Sequence, residues 1–151
     1  LWTDQRYSPQ IVASLEAAIQ SVAADRSQEE LVLIGYSGGG VLAMLLAERL
    51  PETRAVVTVG ANLDIDAWTE YHNYSPLTGS LNPAARSSLP SSIHQFHIVG
   101  AEDTEVPPRI TEAVVNQQPD CVYLVYPQFD HTCCWLEIWP EILQQVAQSL
   151  R

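Results

Sequence analysis

Lysine is absent from this 151-residue chain. The seven cationic residues are all arginine, and they face eighteen Asp and Glu for a formal net charge of −11. Without lysine there can be no P-loop lysine, no Schiff base and no Ser-Lys dyad. A surface this acidic repels phosphate backbones and anionic lipid, which argues against nucleic-acid and membrane-surface binding. Cysteine is scarce: Cys121, Cys133 and Cys134 are the only three, and none forms the Cys-x-x-Cys pair of a zinc site. Adjacent cysteines seldom bridge each other, so all three are expected as small buried hydrophobes, with a disulfide from Cys121 to either neighbour as the alternative. Long apolar runs are missing too. The longest, Val41 to Ala47, falls far short of the ~20 residues a membrane helix needs. No signal or targeting segment is read, and the first residue is Leu1 rather than Met.

What is present suits one globular domain. Hydrophobic residues make up 46% of the chain, enough for a core, and the length matches a single domain spanning 1–151. Ser8-Pro9 reads as an N-cap followed by proline at the first helical position. Ile11, Val12, Leu15, Ile19 and Val22 then recur at helical spacing, which predicts a helix from Pro9 to Ala24. Leu31 to Ile34, Ala55 to Val59, Ile93 to Val99 and Cys121 to Tyr126 are short apolar runs that predict strands, the first of them buried on both faces. Between and after them lie helices expected over Val41–Leu50, Pro108–Gln117 and Pro140–Leu150. The last should turn Ile142, Leu143, Val146 and Leu150 inward. Strands alternating with helices imply an α/β fold of three α/β/α layers around a mainly parallel sheet. One stretch breaks the rhythm: 61–92 is a long connection rich in Ser, Pro and Asn, with Trp68, Tyr71 and Tyr74, and is expected to act as a partial cap.

The motif that carries chemistry is Gly35-Tyr36-Ser37-Gly38-Gly39, a G-x-S-x-G between an apolar strand and an amphipathic helix. That setting is what a nucleophile elbow requires. The turn lifts the hydroxyl of Ser37 above the sheet edge, and glycines such as Gly35 and Gly39 let strand and helix approach without Cβ clashes. The helix start aims free N–H groups at the site, so the amide of Gly38 is a natural oxyanion donor. A dinucleotide loop and a purely structural turn are the competing readings; Ser37 stands where the former needs glycine.

A serine hydroxyl needs a base, and the base needs an anion to orient it. In this kind of fold the partners follow in the order Ser, acid, His, each on a loop after a strand. Asp103 follows the third strand and His131 follows the fourth. Asp64 is the alternative acid. His94 and His97 lie inside a strand and are expected to be packed or on the surface. His72 and Asp130 are expected on the surface, and Trp135 and Trp139 as core or wall residues. No metal or cofactor is required by such a site.

Together Gly35-Tyr-Ser-Gly-Gly, Gly100-Ala-Glu-Asp103-Thr-Glu-Val-Pro-Pro and Phe129-Asp-His131 resemble the carboxyl-terminal half of an α/β-hydrolase. Tyr74-Ser-Pro-Leu-Thr-Gly-Ser-Leu-Asn-Pro83 and Cys133-Cys134-Trp135 are similar to segments of a group of uncharacterised bacterial α/β-hydrolase proteins. The resemblance implies Ser37 as nucleophile, Asp103 as acid and His131 as base of a serine hydrolase acting on an ester-type, small-molecule acyl substrate. It also suggests an exported or cell-envelope location. Such folds have eight strands and a further loop that supplies a second oxyanion amide, whereas four strands are counted here. The chain is therefore expected to be incomplete, its complement being an amino-terminal segment or another chain. The absent loop keeps a second function open, a non-catalytic module that binds a ligand or partner through 61–92.

Overall fold

The computed structural model describes residues 3–24, 30–119 and 121–151; the Leu1 start lies outside them. In chain order the elements are α1 (Pro9–Ala23), β1 (Leu31–Tyr36), α2 (Gly38–Ala47), β2 (Thr53–Val59), α3 (Ile65–Tyr71), a 3-10 turn at Pro83–Ala85, β3 (His94–Gly100), α4 (Pro108–Val115), β4 (Cys121–Tyr126) and α5 (Trp135–Ser149). The strands form one parallel sheet in the order β1-β2-β3-β4.

The period of two along the inner strands separates the layers. In β2 and β3, Ala55, Val57, Val59, Phe96 and Ile98 pack against Ile142 and Val146 of α5. The alternate residue Val56 packs with Ala43, Met44 and Ala47 of α2 and Val114 of α4. Tyr7 and Val12 join Val41, Leu45 and Leu46 in a third cluster, which seats α1 on the outer side of α2. The result is the expected α/β/α arrangement. Each fully buried Val, Leu or Ile in it contributes roughly 1.5–3 kcal/mol of transfer free energy.

Several expectations need correction. β1 is an edge strand among the described residues, with one neighbour, and Ile34 is 47% exposed rather than buried on both sides. α5 begins five residues before Pro140, which lies inside the helix. Trp135, Ile138 and Trp139 pack against the α5-side cluster, and that apolar face carries the helix back through its proline. Ile142 and Val146 point inward as expected, but Leu143 is 42% exposed. Within the connection 61–92 lies α3, capped by Asp64. No helix among the described residues is long and apolar enough to cross a membrane.

Candidate active site

Three loops converge at the carboxyl edge of the sheet. The first is the turn from β1 into α2. Ser37 sits there with φ 52° and ψ −125°, a backbone conformation rare for a residue with a Cβ. Two backbone bonds over-determine it. Its N–H donates to Val59 O at 2.8 Å, and its carbonyl accepts from Gly40 N at 2.9 Å. As N-cap of α2 it makes no side-chain cap bond, so its Oγ points away from the helix amides. The tight approach falls on Gly35 and Gly40. A Cβ on Gly35 would run into the carbonyl of Gly39, and one on Gly40 into Ala61 Cβ. Gly39, expected to be needed for the turn, has open space where its Cβ would stand. Gly38 abuts the Tyr7 hydroxyl, 2.5 Å from an ideal Cβ. Its N–H belongs to the set that a helix start leaves without an intrahelical acceptor.

The second loop follows β3. The side chain of Asp103 is fully buried. Its Oδ1 accepts from the N–H groups of Glu105 (2.9 Å) and Val106 (2.7 Å), which leaves Oδ2 for another partner. The third loop follows β4 and crosses the end of β3 at Gly100, where a Cβ would collide with the Phe129 carbonyl. It delivers His131, whose Nδ1 lies 2.8 Å from Asp103 Oδ2 and whose Nε2 lies 3.1 Å from Ser37 Oγ. Gly60, at φ +53°, passes close to this pair; a Cβ there would stand 3.4 Å from both Asp103 Oδ2 and the His131 ring. All three sequence-predicted residues thus meet in one hydroxyl–imidazole–carboxylate chain. Because the carboxylate only accepts, Nδ1 carries the proton and Nε2 presents its lone pair to the serine.

The competing residues are engaged elsewhere. Asp64 Oδ1 accepts from Asp66 N, Ala67 N and Asn82 Nδ2 at 3.1–3.2 Å. His72 Nε2 lies 2.7 Å from Glu105 O, and Trp68 Nε1 donates to the same carbonyl at 2.9 Å, which ties the 61–92 connection to the loop after β3. His97 is buried between Thr58 Oγ1, 2.8 Å from its Nδ1, and Gln95 Oε1; burial pulls its pKa down to about 4. Asp130 does more than meet solvent. Its Oδ1 accepts from Cys133 N (2.7 Å) and Thr132 N (2.8 Å), and these bonds hold its pKa below the ordinary value. They fold 130–133 into a tight turn before α5. Against expectation, Cys133 and Cys134 are bridged to each other there, while Cys121 Sγ lies 3.5 Å from Val115 O.

Sequence reasoning missed Tyr36, the first of the motif's two variable residues. Its hydroxyl donates to the His131 carbonyl at 2.7 Å, and its ring lies 5.0 Å from the imidazole. It also missed the glycines Gly40, Gly60 and Gly100 as places of close approach, although Gly60 and Gly100 both stand at strand ends, where such approaches occur. Beside Tyr36 runs an apolar groove of about 780 Å³, lined by Ile34, Val59, Cys134, Trp135 and Trp139.

This architecture is that of α/β-hydrolases. The chain superposes on α/β-hydrolase domain-containing protein 10 from mouse with a TM-score of 0.69 at 16% identity, over 93% of this chain and 70% of that one. It superposes on an acetyl ester-xyloside bifunctional hydrolase from Caldicellulosiruptor lactoaceticus with a TM-score of 0.73 at 14% identity, over 97% and 68%. For an esterase from Pyrococcus furiosus the TM-score is 0.65 at 16% identity, over 95% of this chain and 62% of that one. Residues 2–134 match the dienelactone hydrolase family, and the chain belongs to that family. It is a hydrolase by that membership. No curated protein sequence matches it significantly.

Proposed function

We propose that the protein is a serine hydrolase that cleaves an ester-type substrate through an acyl-enzyme. The observation that carries this reading is the continuous chain from Ser37 Oγ to His131 Nε2 (3.1 Å) and from His131 Nδ1 to Asp103 Oδ2 (2.8 Å). In the first half-reaction Ser37 Oγ bonds to the carbonyl carbon while its proton passes to Nε2. The charge that develops on the carbonyl oxygen is met by the Gly38 N–H and the positive end of α2. When the carbon–oxygen bond to the leaving group breaks, Nε2 gives that proton to the departing alcohol. Water then repeats the sequence on the acyl-serine. Asp103 keeps the imidazole in the tautomer that can accept from Ser37, and it stabilises the imidazolium once formed.

The 61–92 connection, fixed to Glu105 two residues beyond Asp103, serves in this reading as a partial cap beside the site. Site residues for a metal or organic cofactor are not part of the mechanism. The test is turnover of short-chain p-nitrophenyl esters by the full-length protein, by Ser37→Ala and by His131→Gln. The reading expects turnover by the wild type that falls to background in both variants. A folded wild-type protein without turnover would instead favour a binding module built on the same fold.

A further inference from the structure

His131 arrives on an irregular loop, yet the chemistry assigned to it needs its ring held to within a fraction of an ångström. The side chain alone does not hold the loop. The bond to Asp103 restrains the ring about one atom, Nδ1, and the contact to Ser37 is the reacting contact itself. The Asp130 bonds fold 130–133 into a turn; what ties that turn to its neighbours at His131 is the carbonyl oxygen, which accepts two hydrogen bonds from two different elements. The hydroxyl of Tyr36 donates from the end of β1 at 2.7 Å, and the indole N–H of Trp135 donates from the first turn of α5 at 2.8 Å. A carbonyl has two lone pairs, and both are used. Tyr36 adjoins Ser37 in sequence, so the same strand end that presents the nucleophile also fixes the residue bearing the base. Its ring completes the fit by tilting against the imidazole at 5.0 Å.

Burial, and then the negative charges of Asp103, Asp130 and Glu105, push the Tyr36 pKa up, so its hydroxyl stays a donor across the neutral and mildly alkaline range. Indole N–H is a donor at every pH.

We propose that Tyr36 and Trp135 are positioning residues that clamp the His131 carbonyl and thereby set the Ser37–His131 distance. The proposal rests on the serine-hydrolase reading given above and adds to it the origin of the base's position. Each single variant leaves one donor on the carbonyl, and the double variant leaves none. The losses should therefore be more than additive.

The experiment compares Tyr36→Phe, Trp135→Phe and the double variant in the full-length protein; phenylalanine keeps the Tyr36 ring and removes only its hydroxyl, and at Trp135 it keeps an aromatic ring while removing the N–H together with part of the indole, so the unfolding midpoint is read beside the rates. Two readouts test the proposal. The first is steady-state ester turnover. kcat should fall about 3–5-fold in each single variant and on the order of 100-fold in the double, beyond the ~10–25-fold that independent losses would give, with KM within about twofold. The second is the carbonyl carbon resonance of His131. His131-Thr132 is the only His-Thr pair in the sequence, so carbon-13 histidine with nitrogen-15 threonine gives one cross-peak for that peptide group. It should move upfield in each single variant and further in the double.

An unmoved resonance overturns the clamp, whatever the rates do. A moved resonance with unchanged kcat, or with the whole loss in KM, overturns the positioning role and leaves the two side chains as groove lining. If the wild-type protein turns over no ester, the hydrolase reading falls and the proposal with it. A resonance that still moves in both variants distinguishes that failure from a failure of the clamp itself.

Discussion

His97 should make the protein acid-sensitive from the inside of its sheet. It lies in the middle of β3, fully buried on the α2 side, and its two ring partners, Thr58 and Gln95, are neutral. Burial lowers its pKa from 6.5 to about 4. The folded state therefore resists a proton that the unfolded chain takes up below about pH 6.5, so unfolding binds protons and stability falls with pH in that window. Going from about pH 7.5 to about pH 5, this one group should remove about 2 kcal/mol, given ordinary and folded values of 6.5 and about 4. By pH 4 the loss levels off as the buried ring itself becomes protonated. The assay is urea unfolding at several pH values for the wild type and for His97→Gln, which keeps polar atoms beside Thr58 and Gln95 but does not titrate. The variant's absolute stability is not the readout. Groups other than His97 titrate in both proteins, so the difference in pH slope isolates it. Equal slopes for the two proteins between pH 7.5 and 5 would refute the reasoning.

Other outcomes follow from close contacts at the turn. Gly35→Ala drives a Cβ into the backbone of α2's first turn and should cost about 3 kcal/mol or more, read as a lowered unfolding midpoint. Gly39→Ala meets no neighbour and should instead raise stability by about 0.5–1 kcal/mol in the same assay. Gly38→Ala pushes on the Tyr7 hydroxyl, so ester turnover should drop along with stability, and trimming the ring in Gly38→Ala/Tyr7→Leu should restore the stability. Asp103→Asn keeps the shape but lets the histidine take the wrong tautomer, and kcat should fall on the order of 10³-fold or more with little change in the unfolding midpoint.

The parts of this molecule legible in its sequence are those where a local pattern and a tertiary need coincide. Ser37 announces itself because a strand, a small-residue turn and a helix adjoin in sequence. Asp103 and His131 could be named because parallel strands deliver their following loops to one edge. Where the two requirements separate, reading fails. Pro140 looks like a helix start, but the apolar face of Trp135, Ile138 and Trp139 binds the sheet strongly enough to carry α5 through it. β1 reads as doubly buried because its apolar run says nothing of how many strands flank it. Asp130 looks solvent-bound because its acceptors' partners, the amides of Thr132 and Cys133, are backbone groups that every residue carries. The Tyr36 contact spans 95 residues of chain and arises at a motif position that the pattern leaves open.

The central claim is that Ser37 is a nucleophile activated by His131. Its most direct measurement is exposure of the full-length protein at neutral pH to a fluorophosphonate, followed by intact mass and peptide mapping. The account predicts one adduct per molecule, on the peptide carrying Ser37, lost in Ser37→Ala and slowed in Asp103→Asn. A folded wild-type protein that stays unlabelled, or an adduct that persists in Ser37→Ala, would contradict it.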